Sequence, residues 1–320
     1  MTETLHLCLC LRRPLPPHRR GGVAAGRGVV GCSDEMEEQG HARRLQRLIE
    51  AQGIPVTLRN GLPSGGIAGI RAFAAGLAGE LYEAHPDARL VLNATGGNKL
   101  MTLGFFRELH LLMEEVIYTD SAHGVIEYLA MDDARPSRSE PIAARLDIPL
   151  YLAARGMTLR RSLCEDSAWV QRSMQRKPVT KFLGSRAEDL GPFLGVLNAL
   201  ASAALEGDGS TLVAPRQHFS ERPYGSWHAA MAELRALEGL DWDGDRSLAF
   251  QDAETARYIG GGWLEEYVWH ILRDLAPDDL RVGAQGTWDS TKGARNELDV
   301  LVLHRNRLLV VECKTLRIGR

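Results

Sequence analysis

Asn296–Thr315 reads N-E-L-D-V-L-V-L-H-R-N-R-L-L-V-V-E-C-K-T. Two apolar, β-branched runs, Leu298–Leu303 and Leu308–Cys313, flank a polar turn, His304–Arg307. That pattern predicts a β-hairpin. Strand side chains alternate faces with period 2, so Glu297 and Asp299 share a face of the first strand. Glu312 and Lys314 likewise share a face of the second. Because the strands run antiparallel, the start of the first lies beside the end of the second. Carboxylates and one ammonium therefore gather at the open end. Strand packing alone does not account for them, since carboxylates are rarely buried without partners.

Chemistry accounts for them better. Carboxylates on neighbouring strand ends make a hard-oxygen site suited to Mg²⁺ or Mn²⁺. A cation there polarises a phosphoryl oxygen and generates hydroxide from water. A lysine two residues from a carboxylate can orient that water or neutralise charge developing on phosphate. An aspartate followed by E-x-K on a hairpin resembles the PD-(D/E)xK nuclease superfamily. Asp299 matches its second motif, and Glu312 with Lys314 its third. The bland reading is a surface hairpin with a Glu–Lys ion pair.

The whole chain sets bounds. Its 320 residues, 44% hydrophobic and 25% charged, allow two ordinary globular domains with a connector. A net charge of −3 means that nucleic-acid contact relies on local basic clusters. Five cysteines without a C-x-x-C argue for a reducing compartment and against a zinc site or disulfide framework. No apolar run is long enough for a membrane span, and no signal peptide is read. The expected location is cytoplasmic.

Residues 5–10 read as a first strand, and the basic, Pro- and Gly-rich stretch 11–28 as a loop. From Val29 the pattern becomes regular. Strands are expected at 29–32, 54–58, 89–93, 115–119 and 125–129, with helices at 35–52, 67–84 and from Lys99 to about 113. Alternation at this spacing predicts a parallel, doubly wound α/β sheet. Thr95-Gly96-Gly97-Asn98-Lys99 lies between a strand and a helix N-terminus. Its glycines let the backbone approach a ligand, and the amides and helix dipole favour an anion. It is neither a Walker A loop nor G-x-G-x-x-G. A tight βα turn is the plain alternative.

A Rossmann-like domain with this loop, placed ahead of a nuclease hairpin, resembles the CARF-domain nucleases of type III CRISPR systems. The resemblance implies a sensor for cyclic oligoadenylate, in particular cyclic tetra-adenylate, serving antiviral defence. It places Thr95, Gly96, Gly97, Asn98 and Lys99 in the ligand loop. It also implies a homodimer with the ligand on the two-fold axis. The family carries small polar residues after the first strand, where this chain reads Leu11-Arg12-Arg13-Pro14.

Polar residues 131–145 mark a domain boundary, and 146–206 read as largely helical. Arg160, Arg161, Arg172, Arg176, Lys177 and Lys181 cluster there, either as a solvated helical face or as a nucleic-acid path. Trp263–Leu275 is an amphipathic helix with Leu264, Val268, Ile271, Leu272 and Leu275 on one face. Glu265 borders that face, while Glu266 points nearly opposite, beside His270 and Arg273. Glu265 is therefore the candidate first-motif carboxylate, and G-G-W-L-E-E-Y-V resembles the start of the family's nuclease domain. Trp288 reads as packing or as a base-stacking platform; His218, His228 and His304 read as structural. The chain ends six residues after Lys314, where superfamily members continue with a helix and strand, so a truncated nuclease domain is expected.

The expected organisation is a nucleotide-sensing domain at 1–135, a helical connector at 136–215 and a nuclease domain at 216–320. The expected reaction is metal-dependent hydrolysis of DNA, RNA or both. Asp299, Glu312 and Glu265 would hold the metal and Lys314 would assist. The alternative is a non-catalytic sensor whose decayed nuclease fold binds nucleic acid or a partner.

Overall fold

The computed structural model describes residues 4–9, 26–131, 136–143, 145–207, 209–289 and 295–315. The unusual 11–25 segment, the residues after Thr315 and Lys292 lie outside them. The chain folds as two compact units. The first is essentially Met1–Thr158, and the second Leu159–Gly286 with most of the final hairpin.

The first unit is built on a seven-stranded sheet. Its strands are β1 (Thr4–Leu9), β2 (Arg27–Gly31), β3 (Val56–Arg59), β4 (Arg89–Asn93), β5 (Met113–Asp120), β6 (Val125–Ala130) and β7 (Arg138–Pro141). The order is β3-β2-β1-β4-β5-β6-β7. The first five run parallel, whereas β6 and β7 add antiparallel. The expected all-parallel sheet is thus mixed: the short turn after β5 can only fold back as a hairpin, because a parallel return needs a crossover. Helices cover both faces. Leu5, Leu7 and Leu9 of β1 point to α3 (Ile67–Ala84) and α4 (Lys99–Leu109), joining Ile70, Ala74 and Phe105 in one core. Cys8 faces the other way, with Met36 and Ala42 of α1 (Asp34–Glu38) and α2 (His41–Glu50). The helix expected over 35–52 breaks at Gly40, whose φ of 69° is left-handed. This is the doubly wound, Rossmann-like arrangement.

After α5 (Ile148–Arg155), the second unit contains β8 (Met157–Arg161), α6 (Ser167–Gln175), α7 (Lys177–Ser185) and α8 (Gly191–Ala204). Next come β9 (Arg216–His218), α9 (Ser226–Leu234), β10 (Leu240–Trp242), β11 (Ser247–Phe250) and α10 (Ala253–Arg257). The chain then runs through α11 (Trp263–Asp274), β12 (Asp279–Trp288), β13 (Arg295–His304) and β14 (Arg307–Val311). Its four-stranded sheet has the order β14-β13-β12-β8, and β10-β11-β9 form a small second sheet. The stretch read as helical connector therefore donates β8 to the edge of the same sheet that carries the hairpin. The α8 core includes Phe193, Leu197, Phe250 and Trp263. A second cluster joins Trp169 and Trp269 to Val282, Val300 and Val302.

Candidate functional site

The hairpin turn is Arg305-Asn306, with φ of 50° and 60°. Two successive left-handed residues make the type I′ turn that matches strand twist, and this sets the register of β13 against β14. Asp299 then lies opposite the end of β14, where its Oδ2 accepts the Cys313 N–H at 2.6 Å. Lys314 Nζ reaches Glu312 Oε1 at 2.8 Å, and both side chains are largely exposed. The Lys314 ammonium is held above its ordinary range by Glu312 first, with a smaller contribution from Asp299.

Glu265 enters this site from α11. Burial, then the charges of Asp299, Glu297 and Glu266, push its carboxyl up to about 7. The Cys313 thiol is pushed up to about 11 by burial, Asp299 and Glu265, so it stays protonated and is no nucleophile at neutral pH. Two glutamates and an aspartate thus concentrate negative potential around one sheet end, with Lys314 beside them. That donor chemistry fits a hard divalent cation. In this arrangement Glu312 is turned to Lys314, and among the described residues no three acidic, histidine or cysteine side chains are grouped to hold a metal ion.

The helix-face reading requires a correction. Trp263, Glu266, Trp269 and His270 are the buried residues of α11, while Ile271 and Leu275 are 45% and 72% exposed. α11 is covered on two sides. One side meets β13, where Val268 and Leu272 join the Trp169 cluster. The other meets α7, where Gly184 leaves room for the Tyr267 ring. Glu266 is 2% exposed and is gripped by Arg176, whose side chain is 9% exposed. Arg176 Nε lies 3.0 Å from Glu266 Oε2 and Nη1 lies 3.3 Å from Glu254 Oε1, and the guanidinium stacks 4.3 Å from the Tyr258 ring centroid. Burial outweighs the pull of Arg176 and pushes the Glu266 carboxyl up. Of the predicted basic cluster, Arg176 and Arg172 are thus engaged by carboxylates, Arg172 by Glu254.

Residues that the sequence did not single out support the site. Asn198 of α8 donates to Thr315 Oγ1 at 3.0 Å. Just ahead of α11, the chain kinks within Tyr258–Gly262, where Gly261 leaves the helical region at φ 140°. A Cβ on Gly261 would lie 3.2 Å from Thr315 Oγ1. On the sheet face, Gln285 of β12 donates to Glu297 at 3.3 Å and accepts from Arg161 of β8 at 2.8 Å. Period-2 spacing already put Glu297 on the Asp299 face, and Arg161 stood in the basic cluster read from the sequence; Gln285 and Asn198 carry no signal without the fold.

In the first unit, the loop 95–99 joins β4 to α4. Thr95 Oγ1 accepts the Thr119 N–H at 2.8 Å, so this hydroxyl oxygen ties the loop to β5. Asn98 caps α4 by accepting from Met101 N at 3.0 Å and donates to the Ser64 carbonyl at 2.8 Å. Gly97 has φ 68°, and a Cβ there would lie 3.0 Å from Leu9 Cδ1 and Met101 Sδ. Gly96 is buried; Asn98 and Lys99 are exposed at the helix start, where the first N–H groups have no intrahelical acceptor.

The first unit is a Rossmann-like domain, and the second carries a four-stranded sheet whose carboxylates and lysine converge at one end. Residues 252–320 match the family described as Card1-like, endonuclease domain. The fold resembles that of Can2 from Sulfobacillus thermosulfidooxidans, solved in complex with cyclic tetra-adenylate. The TM-score is 0.70 and the identity 22%, over 97% of this chain and 77% of that one. It also resembles protein VC1899 from Vibrio cholerae, with a TM-score of 0.80 and 20% identity over 97% and 80% of the two chains. No curated protein sequence matches the chain.

Proposed function

We propose that the chain is a metal-dependent nuclease of CRISPR defence that cleaves phosphodiester bonds in DNA, RNA or both and is activated by cyclic oligoadenylate, with cyclic tetra-adenylate as the first candidate. The observation that carries this reading is the Glu265 carboxyl, held up to about 7 by burial and by its proximity to Asp299 and Glu297. An acidic group perturbed by burial and by neighbouring like charges is a mark of functional sites. Glu265, Asp299 and Glu312 would hold Mg²⁺ or Mn²⁺. Such an ion supplies Lewis acidity and a water of lowered pKa. The Cys313 N–H keeps Asp299 aimed. Lys314 orients the attacking water or steadies charge on the phosphoryl oxygens.

The loop Thr95–Lys99 is the proposed ligand site of the first unit, with Lys99 and the α4 N-terminus directed to phosphate. On α4, Leu100, Leu103 and Phe106 are exposed by 46%, 61% and 36%. This apolar stripe supports a homodimer, and a two-fold assembly suits a symmetric ligand.

The test incubates the protein with labelled single- and double-stranded DNA and RNA, with Mn²⁺ or EDTA, and with or without cyclic tetra-adenylate. Cleavage that requires metal and rises with the cyclic ligand is expected. Undiminished cleavage in EDTA refutes the metal-hydrolase reading. The Glu312–Lys314 pair, which turns Glu312 toward the lysine, favours a second reading: a non-catalytic sensor. Ligand binding without cleavage of any substrate would select it.

A further inference from the structure

We propose that Arg161 is a phosphate-binding residue on the catalytic face of the nuclease sheet, extending the substrate track from the hairpin to the β8 edge. The inference rests on the nuclease reading above.

Glu297 and Asp299 share one face of β13 by period-2 alternation. Gln285 of β12 donates to Glu297, and Arg161 of β8 donates to Gln285. The three side chains therefore form a continuous row across three neighbouring strands, on the face of β13 that carries Asp299. The amide of Gln285 has one orientation that satisfies both neighbours: its oxygen to Arg161, its nitrogen to Glu297. That row fixes the direction of the guanidinium.

Arg161 is also exposed and uncancelled. Its bonded partner is a neutral amide, and among the described residues no carboxylate pairs with it, whereas Arg172 and Arg176 are spent on Glu254 and Glu266. Arg161 uses Nε on Gln285, which leaves the two Nη groups as the fork that binds phosphate oxygens. The strand spacing of about 4.8 Å puts β8 roughly 10 Å from β13, a few phosphates along a nucleic-acid backbone. The acidic catalytic end repels the substrate on its own, so a cation held at this distance offsets that repulsion. Arg160, the next residue, projects to the opposite face and serves as an internal control.

The experiment measures binding of a labelled oligonucleotide to the full chain in EDTA, with saturating cyclic tetra-adenylate, across a salt series. Steady-state cleavage is measured in parallel with Mn²⁺. Arg161→Gln should weaken binding several-fold and reduce the slope of log K against log salt by about 0.7–0.9, one phosphate contact. It should raise KM with little change in kcat. Arg161→Lys should restore most of the slope, and Arg160→Gln should leave it unchanged. Gln285→Met should weaken binding while preserving the slope, because it removes the guide and not the charge. Wild-type cleavage with an unaltered slope in Arg161→Gln overturns this inference and leaves the nuclease reading standing. A wild-type protein that neither binds nor cleaves any oligonucleotide overturns both.

Discussion

Glu265 and Glu266 are neighbours on one helix, and the structure assigns them opposite consequences on mutation. Glu266→Ala removes both hydrogen bonds that Glu266 accepts from Arg176 and leaves the guanidinium, 9% exposed, with Glu254 and the Tyr258 ring. Breaking a buried ion pair by deleting one partner costs about 3–5 kcal/mol, because the survivor stays buried. Glu254 remains as a partner, so the cost falls at the lower end, about 3 kcal/mol. For a unit of roughly 150 residues, each kcal/mol shifts the melting temperature by about 2–4 °C. Glu266→Ala should therefore melt about 6–12 °C below wild type by scanning calorimetry. Glu266→Gln keeps the side-chain oxygen and should lose about a third of that. The double variant Arg176→Met, Glu266→Met should recover part of the loss, since it removes both buried charges. A Glu266→Ala protein melting within about 2 °C of wild type would refute the buried-pair argument.

Glu265→Gln should behave in the reverse sense. The folded carboxyl is raised to about 7 from 4.5, so its favourable contribution is full below pH 4.5 and is lost as pH rises through 7. Without metal, the variant should be more stable than wild type at pH 8 by up to about 3 kcal/mol, with the gap closing toward pH 4.5 and cleavage activity strongly reduced. Equal stability at pH 8 would refute the burial of Glu265 beside Asp299. Lys99→Ala should weaken cyclic tetra-adenylate binding by about 1–3 kcal/mol in calorimetry with an unchanged melting temperature; equal affinity would remove Lys99 from the ligand site. If the sensor drives the nuclease, ligand and nucleic acid must alter each other's affinity by one common factor. This is measurable at fixed salt in a Glu312→Ala, Lys314→Ala protein, and identical ligand affinity with and without a saturating oligonucleotide would exclude coupling at the binding level.

The legible parts of this chain are those in which local pattern and tertiary environment agree. In the Rossmann-like unit β2 and β4 are short apolar runs closed by Gly31 and Asn93, and α3 begins and ends where its small-residue pattern does. The hairpin was legible because its turn is polar and both arms are β-branched. β8 was not: Met157-Thr-Leu-Arg-Arg161 lies at a sheet edge with a single fully buried side chain, Met157, so it shows almost no apolar alternation. β9, β10 and β11 are three or four residues long, too short for a period to register. The α11 reading failed for Glu266 because a helical wheel finds one apolar face, and this helix is covered on two. The buried glutamate is compensated by an arginine 90 residues earlier, a distance over which local pattern carries no information. Glu265 was reachable because a carboxylate bordering an apolar face has few places to go except the sheet beneath.

The glycine turn before α11 constrains how the strand end that carries Glu312 and Lys314 can vary. Lys314 is bracketed by two anchors on its flanking residues: the Cys313 N–H on Asp299 and the Thr315 hydroxyl on Asn198. Gly261 backs the second anchor, in a conformation that L side chains rarely adopt. The lysine thus has a stationary base and a free stem. Under the proposed function, its ammonium would swing from Glu312 to a phosphate by rotating its own torsions, with no backbone rearrangement. Inheritable change is correspondingly channelled: the length and charge of the side chain at 314 can be tuned one substitution at a time, whereas inserting or deleting one residue between 313 and 315 breaks both anchors together.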